Sequence, residues 1–193
     1  MVLNIPSDAF SHGQIKSKLW LAKELSCWSE KHMDKGIRYE LNWYGSWVGM
    51  GPFLLFCQAN LRFSKVNLFD LDQEALAVSK ALLNFWHCEG VEINLINQDM
   101  GKATESGAAS RLFINTACEH VSDEQWLKNI SAGSFVLLQS TDMKHVEHIN
   151  SPKNFEDFLL KYSPHIHTLE SDAIHFTYPD KEFFRFMLFG RKL

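Results

Sequence analysis

The sequence predicts an α/β fold: a doubly wound, mostly parallel sheet of seven strands ending in a C-terminal antiparallel hairpin, with helices on both faces. Three observations carry that expectation. Strand-like and helix-like periodicities alternate through the first two thirds of the chain, the pattern of successive right-handed crossovers. The runs ending at Tyr44 and Asp70 are each followed by a helix-opening signal, Pro52 for the first and Asp72 for the second. The last two strand-like runs, separated by Pro179-Asp180, are joined by too little chain for a helical crossover and must pair antiparallel.

The elements follow in order. From Gln14 to Trp28, Ile15, Leu19, Ala22 and Leu25 recur at about a helical period among Lys16, Lys18, Lys23 and Glu24, which predicts an amphipathic helix. Ile37 to Tyr44 is a short aromatic-rich run suited to a buried strand. Pro52 suits a first helical turn, where its missing N–H has no partner to lose, and Leu54, Leu55, Cys57 and Leu61 continue that helix. VNLFD (Val66 to Asp70) predicts the second strand, and Asp72 with acid behind it opens the next helix. Val91 to Asn97, Arg111 to Ala117 and Phe135 to Thr141 are the third, fourth and fifth strands, with a short helix in SDEQWLKNI. A helix over Asn154 to Tyr162 and the closing strand pair complete the chain. No repeat, low-complexity tract or linker interrupts it. Residues 1–36 are expected as a helical extension packed on a single domain formed by 37–193.

Composition narrows the function. With 193 residues, 46% of them hydrophobic, the chain is large enough for a full core and is neither a disordered protein nor a disulfide-stapled miniature. Nineteen Lys and Arg against 23 Asp and Glu, net −4, argue against gripping nucleic acid through its phosphates. Cys27, Cys57, Cys88 and Cys118 lie far apart with no CxxC pair, so neither a disulfide framework nor a structural zinc site is expected, and a reducing compartment is. The longest apolar run, Trp47 to Cys57, is too short and too glycine-rich for a bilayer span, which points to a cytoplasmic protein without a membrane partner.

In a doubly wound sheet, ligands bind outside the carboxyl ends of the strands. Four stations qualify. Gly45-Ser46-Trp47-Val48-Gly49-Met50-Gly51 offers a tight turn and a helix N-terminus with free N–H groups; a plain strand-to-helix turn is the competing reading. Asp70, one βαβ step later, ends the second strand where a carboxylate accepts from vicinal ribose hydroxyls, whereas Asp72 is better suited to capping the helix. Asp99 follows the third strand, where its acid suits an adenine amino group and Met100 the face of the ring. Asn115 to His120 sets an amide, a carboxylate (Glu119) and an imidazole in one short turn, which a loop-fixing Glu-His pair would explain equally well. Cys118 in that turn reads as a small buried side chain rather than a nucleophile.

The first three stations together resemble the class I S-adenosylmethionine-dependent methyltransferases, over roughly Ile37 to Leu193, and FMLFGRKL is similar to that family's terminal hairpin. The family usually shows an acid and then GxGxG; here Trp43 holds the place of the acid and Trp47 that of the middle glycine, leaving Gly45 and Gly49 as matches. The resemblance implies a divergent methyltransferase using S-adenosylmethionine. It places Gly45, Ser46, Trp47, Gly49, Asp70, Leu71, Asp99, Met100 and Asn115 on the cofactor, and Asn115, Glu119 and His120 on the catalytic side. The fourth-strand turn lacks the NPPY or DPPY signature of amino-directed nucleic-acid enzymes, so no base substrate is inferred, and the acidic net charge and compact size, with no large inserted domain, point to a small-molecule acceptor.

Other uses of the same residues stand beside this one. Aminocarboxypropyl transfer from the same cofactor is indistinguishable in sequence, and a non-enzymatic cofactor-binding module is a further alternative. The glycine loop also spells GxxxGxG, as in short-chain dehydrogenases binding NAD(P), but no tyrosine here is followed four residues later by lysine. No metal site is expected: His145 and His148, or His165 and His167, can each share a face, but no third ligand with fixed spacing accompanies either pair.

Overall fold

The computed structural model describes residues 5–58, 60–103 and 110–193. Its elements are α1 (His12–His32), β1 (Tyr39–Tyr44), α2 (Met50–Gln58), β2 (Phe63–Asp70), α3 (Gln73–Cys88), β3 (Glu92–Asn97), β4 (Arg111–Asn115), β5 (Phe135–Thr141), α4 (Phe155–Tyr162), β6 (Ile166–Thr177) and β7 (Glu182–Lys192). The strands form one sheet in the order β3-β2-β1-β4-β5-β7-β6. β2 runs parallel to both β1 and β3, while β7 runs antiparallel to β5 and β6. The seven strands and closing antiparallel pair are as the sequence predicts. No helix among the described residues is long and apolar enough to cross a membrane.

The chain divides into two compact units, the first holding α1 to α3 and β1 to β3 and the second β5 to β7 and α4; β4 gives Arg111 and Leu112 to the first and its remaining residues to the second. In the first unit, Ser11 accepts from the N–H of Gln14 to begin α1, which turns Trp20, Leu21, Leu25 and Trp28 inward and packs on α2. Gly51 of α2 lies so close to the buried ring of Trp43 that a Cβ there would overlap it. The missing side chain is what lets helix and strand approach.

Inside this unit runs a polar ladder that an apolar reading of parallel strands does not anticipate. Asn42, Asn67 and Asn94 stand in register on adjacent strands. The Asn67 amide donates to Asn42 Oδ1 and to Glu40 Oε1, both at 2.8 Å, and Asn67 Oδ1 accepts from Asn94 at 3.0 Å. Glu40 also lies 3.4 Å from the buried Arg111 guanidinium. A one-residue slip of any strand would send these amides to the opposite face and leave their partners unsatisfied, so the ladder fixes register.

In the second unit β5 is buried along its whole length, as befits a strand with neighbours on both edges. Asn154 caps α4 by accepting from Asp157 N–H, and Phe158 and Tyr162 fix that helix against the core. Two expectations need correcting here. The fourth strand stops at Asn115 rather than Ala117, because Asn115 Oδ1 accepts the Ala117 N–H at 2.9 Å and turns the chain into a single 3₁₀ turn, Cys118–His120. The helix expected in SDEQWLKNI is likewise only a 3₁₀ turn, Gln125–Asn129, with Trp126 and Leu127 buried. Its apolar residues are too few to hold a longer helix down.

Replacing Asn67 by Ala removes the centre of the ladder and strands acceptors on Asn42 and Glu40 and a donor on Asn94. Urea unfolding should show a loss of roughly 2–3 kcal/mol, the cost of buried polar groups left unpaired, whereas Asn94→Ala at the ladder's less buried end should cost less.

Candidate cofactor-binding site

The loop between β1 and α2 is shaped by three residues with positive φ at alternating positions: Gly45 at 63°, Trp47 at 47° and Gly49 at 77°. Glycine takes that conformation freely; an L-residue such as tryptophan pays for it in steric strain, of order 1–2 kcal/mol. Trp47 is held there from three sides. Its N–H donates to Asp70 Oδ2 at 2.6 Å, its carbonyl accepts the Ser79 hydroxyl at 2.8 Å, and its indole packs on the cluster of Ala9, Val48, Met50, Ala75 and Val78. The position that departs from GxGxG thus keeps a glycine-like backbone, with the side chain partly buried against that cluster. Gly49 has a second reason to be glycine, since a Cβ would come within 2.8 Å of Ser79 Oγ.

Asp70 stands at the carboxyl end of β2, partly buried. Beyond the bond to Trp47, its Oδ1 accepts the Asp72 N–H at 3.0 Å. A carboxylate offers about four lone-pair sites, so two acceptor positions remain after these bonds. Asp72 caps α3, its Oδ1 accepting from Glu74 and Ala75 N–H, which separates the roles of the two acids. Asn97, at the end of β3, donates to the carbonyls of Asp70 at 3.1 Å and Leu71 at 2.8 Å and so fixes the acid's backbone. Asn97 and Ser79 were not singled out by the sequence; the cue for Asn97 is its place as the last residue of a strand next to β2. Leu71 is 72% exposed, an apolar side chain left uncovered directly behind the acid. Asp99 is exposed and Met100 partly buried in the turn after β3. Ser46 is buried, and its N–H donates to the Phe69 carbonyl, extending the β1–β2 pairing into the loop.

The remaining sequence-selected residues lie in the second unit. Asn115 is fully buried, its carbonyl oxygen already engaged by Ala117. Glu119 is 2% exposed and 3.7 Å from Arg185 of β7, a separation without a hydrogen bond. His120 is exposed, and its ring lies 4.9 Å from that of His148. Cys118 is buried, and desolvation, reinforced by the Glu119 charge, pushes its thiol from 9.0 up to about 12. Burial likewise raises the neighbouring Tyr162 phenol, with Cys118 as the next cause. No thiolate forms there at neutral pH.

Gly49→Ala should lower the melting temperature markedly, since strain and overlap with Ser79 act together, whereas Gly90→Ala, at φ 86° with open space around it, should cost only about 1 kcal/mol. In alkylation of the native protein followed by peptide mapping, the exposed Cys27 and Cys57 should react and Cys118 should not. The Cys118 thiol's raised pKa also has a sign: its stabilising contribution is intact below about pH 9 and is lost as the pH climbs from there toward 12.

No family model matches the sequence, and no curated protein matches it. Solved structures do. The N-methyltransferase NodS from Bradyrhizobium japonicum WM9, in complex with S-adenosyl-L-homocysteine, aligns with a TM-score of 0.67 at 10% identity, covering 96% of this chain and 91% of that one. Magnesium protoporphyrin IX methyltransferase ChlM from Synechocystis PCC 6803, also with bound S-adenosylhomocysteine, aligns at 0.67 and 9% identity over 98% and 90%. The tRNA (m1A58) methyltransferase TrmI from Aquifex aeolicus aligns at 0.53 and 16% identity over 92% and 68%. The chain therefore has the seven-stranded fold seen in S-adenosylmethionine-dependent methyltransferases.

Proposed function

We propose that this protein is an S-adenosylmethionine-dependent methyltransferase acting on a small-molecule acceptor. The observation that carries the reading is Asp70: a carboxylate at the carboxyl end of β2, fixed by Trp47 and Asp72 N–H groups with lone pairs to spare, beside a loop whose three left-handed residues bring backbone close to a ligand. Asp70 accepts from the ribose hydroxyls, Leu71 and Met100 supply apolar contact to the adenine, and Asp99 accepts from its amino group. Gly45, Ser46, Trp47 and Gly49 line the methionine part. Two of the structural neighbours hold S-adenosylhomocysteine, which supports the same cofactor class. The neighbours as a group are named for acceptors as different as a porphyrin and a tRNA; the net −4 charge is what favours a small molecule over nucleic acid.

Methyl transfer is an in-line displacement at an activated sulfonium, so the protein's work is alignment and exclusion of water, with a base only if the nucleophile arrives protonated. Glu119 and His120 are assigned to the acceptor, on the strength of the carboxylate and imidazole that follow β4. Asn115, being buried, acts by shaping the turn.

Calorimetry should show S-adenosylhomocysteine binding and no comparable response to NAD or NADP. Asp70→Ala should weaken that binding by about 2 kcal/mol, close to thirtyfold, through two lost bonds to a charged acceptor. Asp70→Asn keeps an acceptor for Trp47 N–H and separates loss of loop shape from loss of the ribose contact. Tight NAD binding with no response to S-adenosylhomocysteine would overturn the assignment.

A further inference from the structure

Glu119, His120 and His148 each offer a ligand atom, and the three atoms lie within 4.8 Å of one another. Sequence spacing does not reveal the set, because Glu119 and His120 are adjacent whereas His148 lies 28 positions beyond His120. Three features of the second unit show how the group is built. First, Asn150 fastens the two stretches together: its N–H donates to the Glu119 carbonyl at 3.1 Å and its side-chain amide to the Val121 carbonyl at 2.8 Å. Second, His148 Nδ1 lies 2.7 Å from the Met143 carbonyl. A carbonyl only accepts, so Nδ1 carries the proton and Nε2 keeps its lone pair, which is the orientation that ligating histidines are given by an outer partner. Met143 is itself held by the Thr141 hydroxyl, which donates to the Phe184 carbonyl of β7. Third, Glu119 is 98% buried, and its Oε2 has no hydrogen-bond partner.

The third feature is the decisive one. A buried carboxylate oxygen without a donor is costly, and such groups are normally hydrogen-bonded, paired or bound to a metal. Arg185 does not relieve it: the guanidinium approaches Oε1 only to 3.7 Å, and its Nη1 also lacks a hydrogen bond. Arg185 offsets the charge of Glu119 without satisfying its geometry. Oε2 is left without a donor, in a carboxylate that has one oxygen within 4.8 Å of a ring nitrogen of both His120 and His148.

We propose that Glu119, His120 and His148 form a binding site for a divalent transition-metal ion of the zinc class. Two imidazoles and one carboxylate are borderline ligands that suit Zn²⁺, Co²⁺ or Fe²⁺, whereas Mg²⁺ and Ca²⁺ require oxygen-rich sites. Bonds of about 2.0–2.2 Å in a tetrahedron put ligand atoms about 3.4 Å apart. Contraction from 4.8 Å is within reach of a side-chain rotation at exposed His120, while Glu119 and His148 are already anchored. Three protein ligands leave a fourth position for water or an acceptor group, the arrangement of a catalytic rather than a structural zinc site. The site stands on these residues alone and does not depend on methyl transfer.

The test uses the untagged full chain, stripped with chelator and titrated with ZnCl₂ in a calorimeter, then with CoCl₂ under visible absorption. One equivalent of Zn²⁺ should bind in preference to Mg²⁺, and Co²⁺ should give the intense d–d bands of a low-coordinate nitrogen and oxygen site. His120→Ala, at an exposed position that should leave folding intact, should weaken binding by roughly a hundredfold or more, since even outer partners of a metal site are worth about 10–100-fold. Glu119→Gln should do the same; if it unfolds, His148→Ala takes its place. His167→Ala, exposed on β6, should bind as the parent does. Absence of stoichiometric Zn²⁺ binding, equal preference for Mg²⁺, or full affinity in His120→Ala would each overturn the proposal. S-adenosylhomocysteine titration of the same samples reads out the cofactor site separately.

Discussion

A single carboxylate organises the carboxyl ends of β1 and β2 in the first unit. Asp70 reaches from the end of β2 to the N–H of Trp47 in the loop after β1 and, with its other oxygen, to the N–H of Asp72 at the start of α3. Three consecutive features of a βαβ unit are thereby fixed by one side chain. The parallel pairing of β1 with β2 brings the loop within its reach, since Tyr44 lies opposite Phe69 and the Ser46 N–H continues the pattern to the Phe69 carbonyl. The left-handed turn at Trp47 is sustained by that bond, by Ser79 and by the packing of the indole on the cluster beneath it. Each is worth about as much as the strain it offsets. A loop held by several partners of this size is preorganised, and a ligand meeting it spends little of its binding energy on ordering the backbone.

Both units bury polar side chains, and each leaves some of them incompletely paired, Asn42 Nδ2 in the first and Glu119 Oε2 in the second. In the first, Asn42, Asn67, Asn94 and Glu40 exchange hydrogen bonds along a row that crosses three strands, and the reward is a unique register. In the second, Glu119 and Arg185 are buried near one another without a bond between them. Satisfied networks make a core specific, whereas half-satisfied ones cost stability.

Much of this was legible in the sequence, for identifiable reasons. β5 runs from Phe135 to Thr141 as expected, because Ala132-Gly133 set off an apolar run, residues 135–138, that continues into Gln139-Ser140-Thr141. Asp72 as a cap and Asp70 as the strand-terminal acid follow from their places at the ends of periodic segments, and the Pro179-Asp180 turn announces the closing hairpin. Less local features stayed hidden. VNLFD understates β2, which begins at Phe63, because Ser64 and Lys65 alternate outward and resemble a loop. Asn115 looks like a polar strand residue until its amide is seen ending the strand. The conformation of Trp47 cannot be inferred from its side chain, since tertiary bonds override the preference. The meeting of His148 with the Glu119-His120 turn depends on how residues 142–150 double back, and no local periodicity encodes that.

The place of β7 carries a consequence for how the second unit is made. β7 lies between β5 and β6, so β5 acquires its antiparallel neighbour only after residues 142–181 have been added to the chain. Until then β5 is a seven-residue strand, apolar along most of its length, with one hydrogen-bonding edge bare. Among the described residues β6 is hydrogen-bonded to β7 and is not a neighbour of β5 in the finished sheet. The polar tail of the strand, Gln139-Ser140-Thr141, is buried in the finished sheet, and while β7 is still missing it confines the apolar part of that bare edge to residues 135–138, the stretch most prone to wrong pairing.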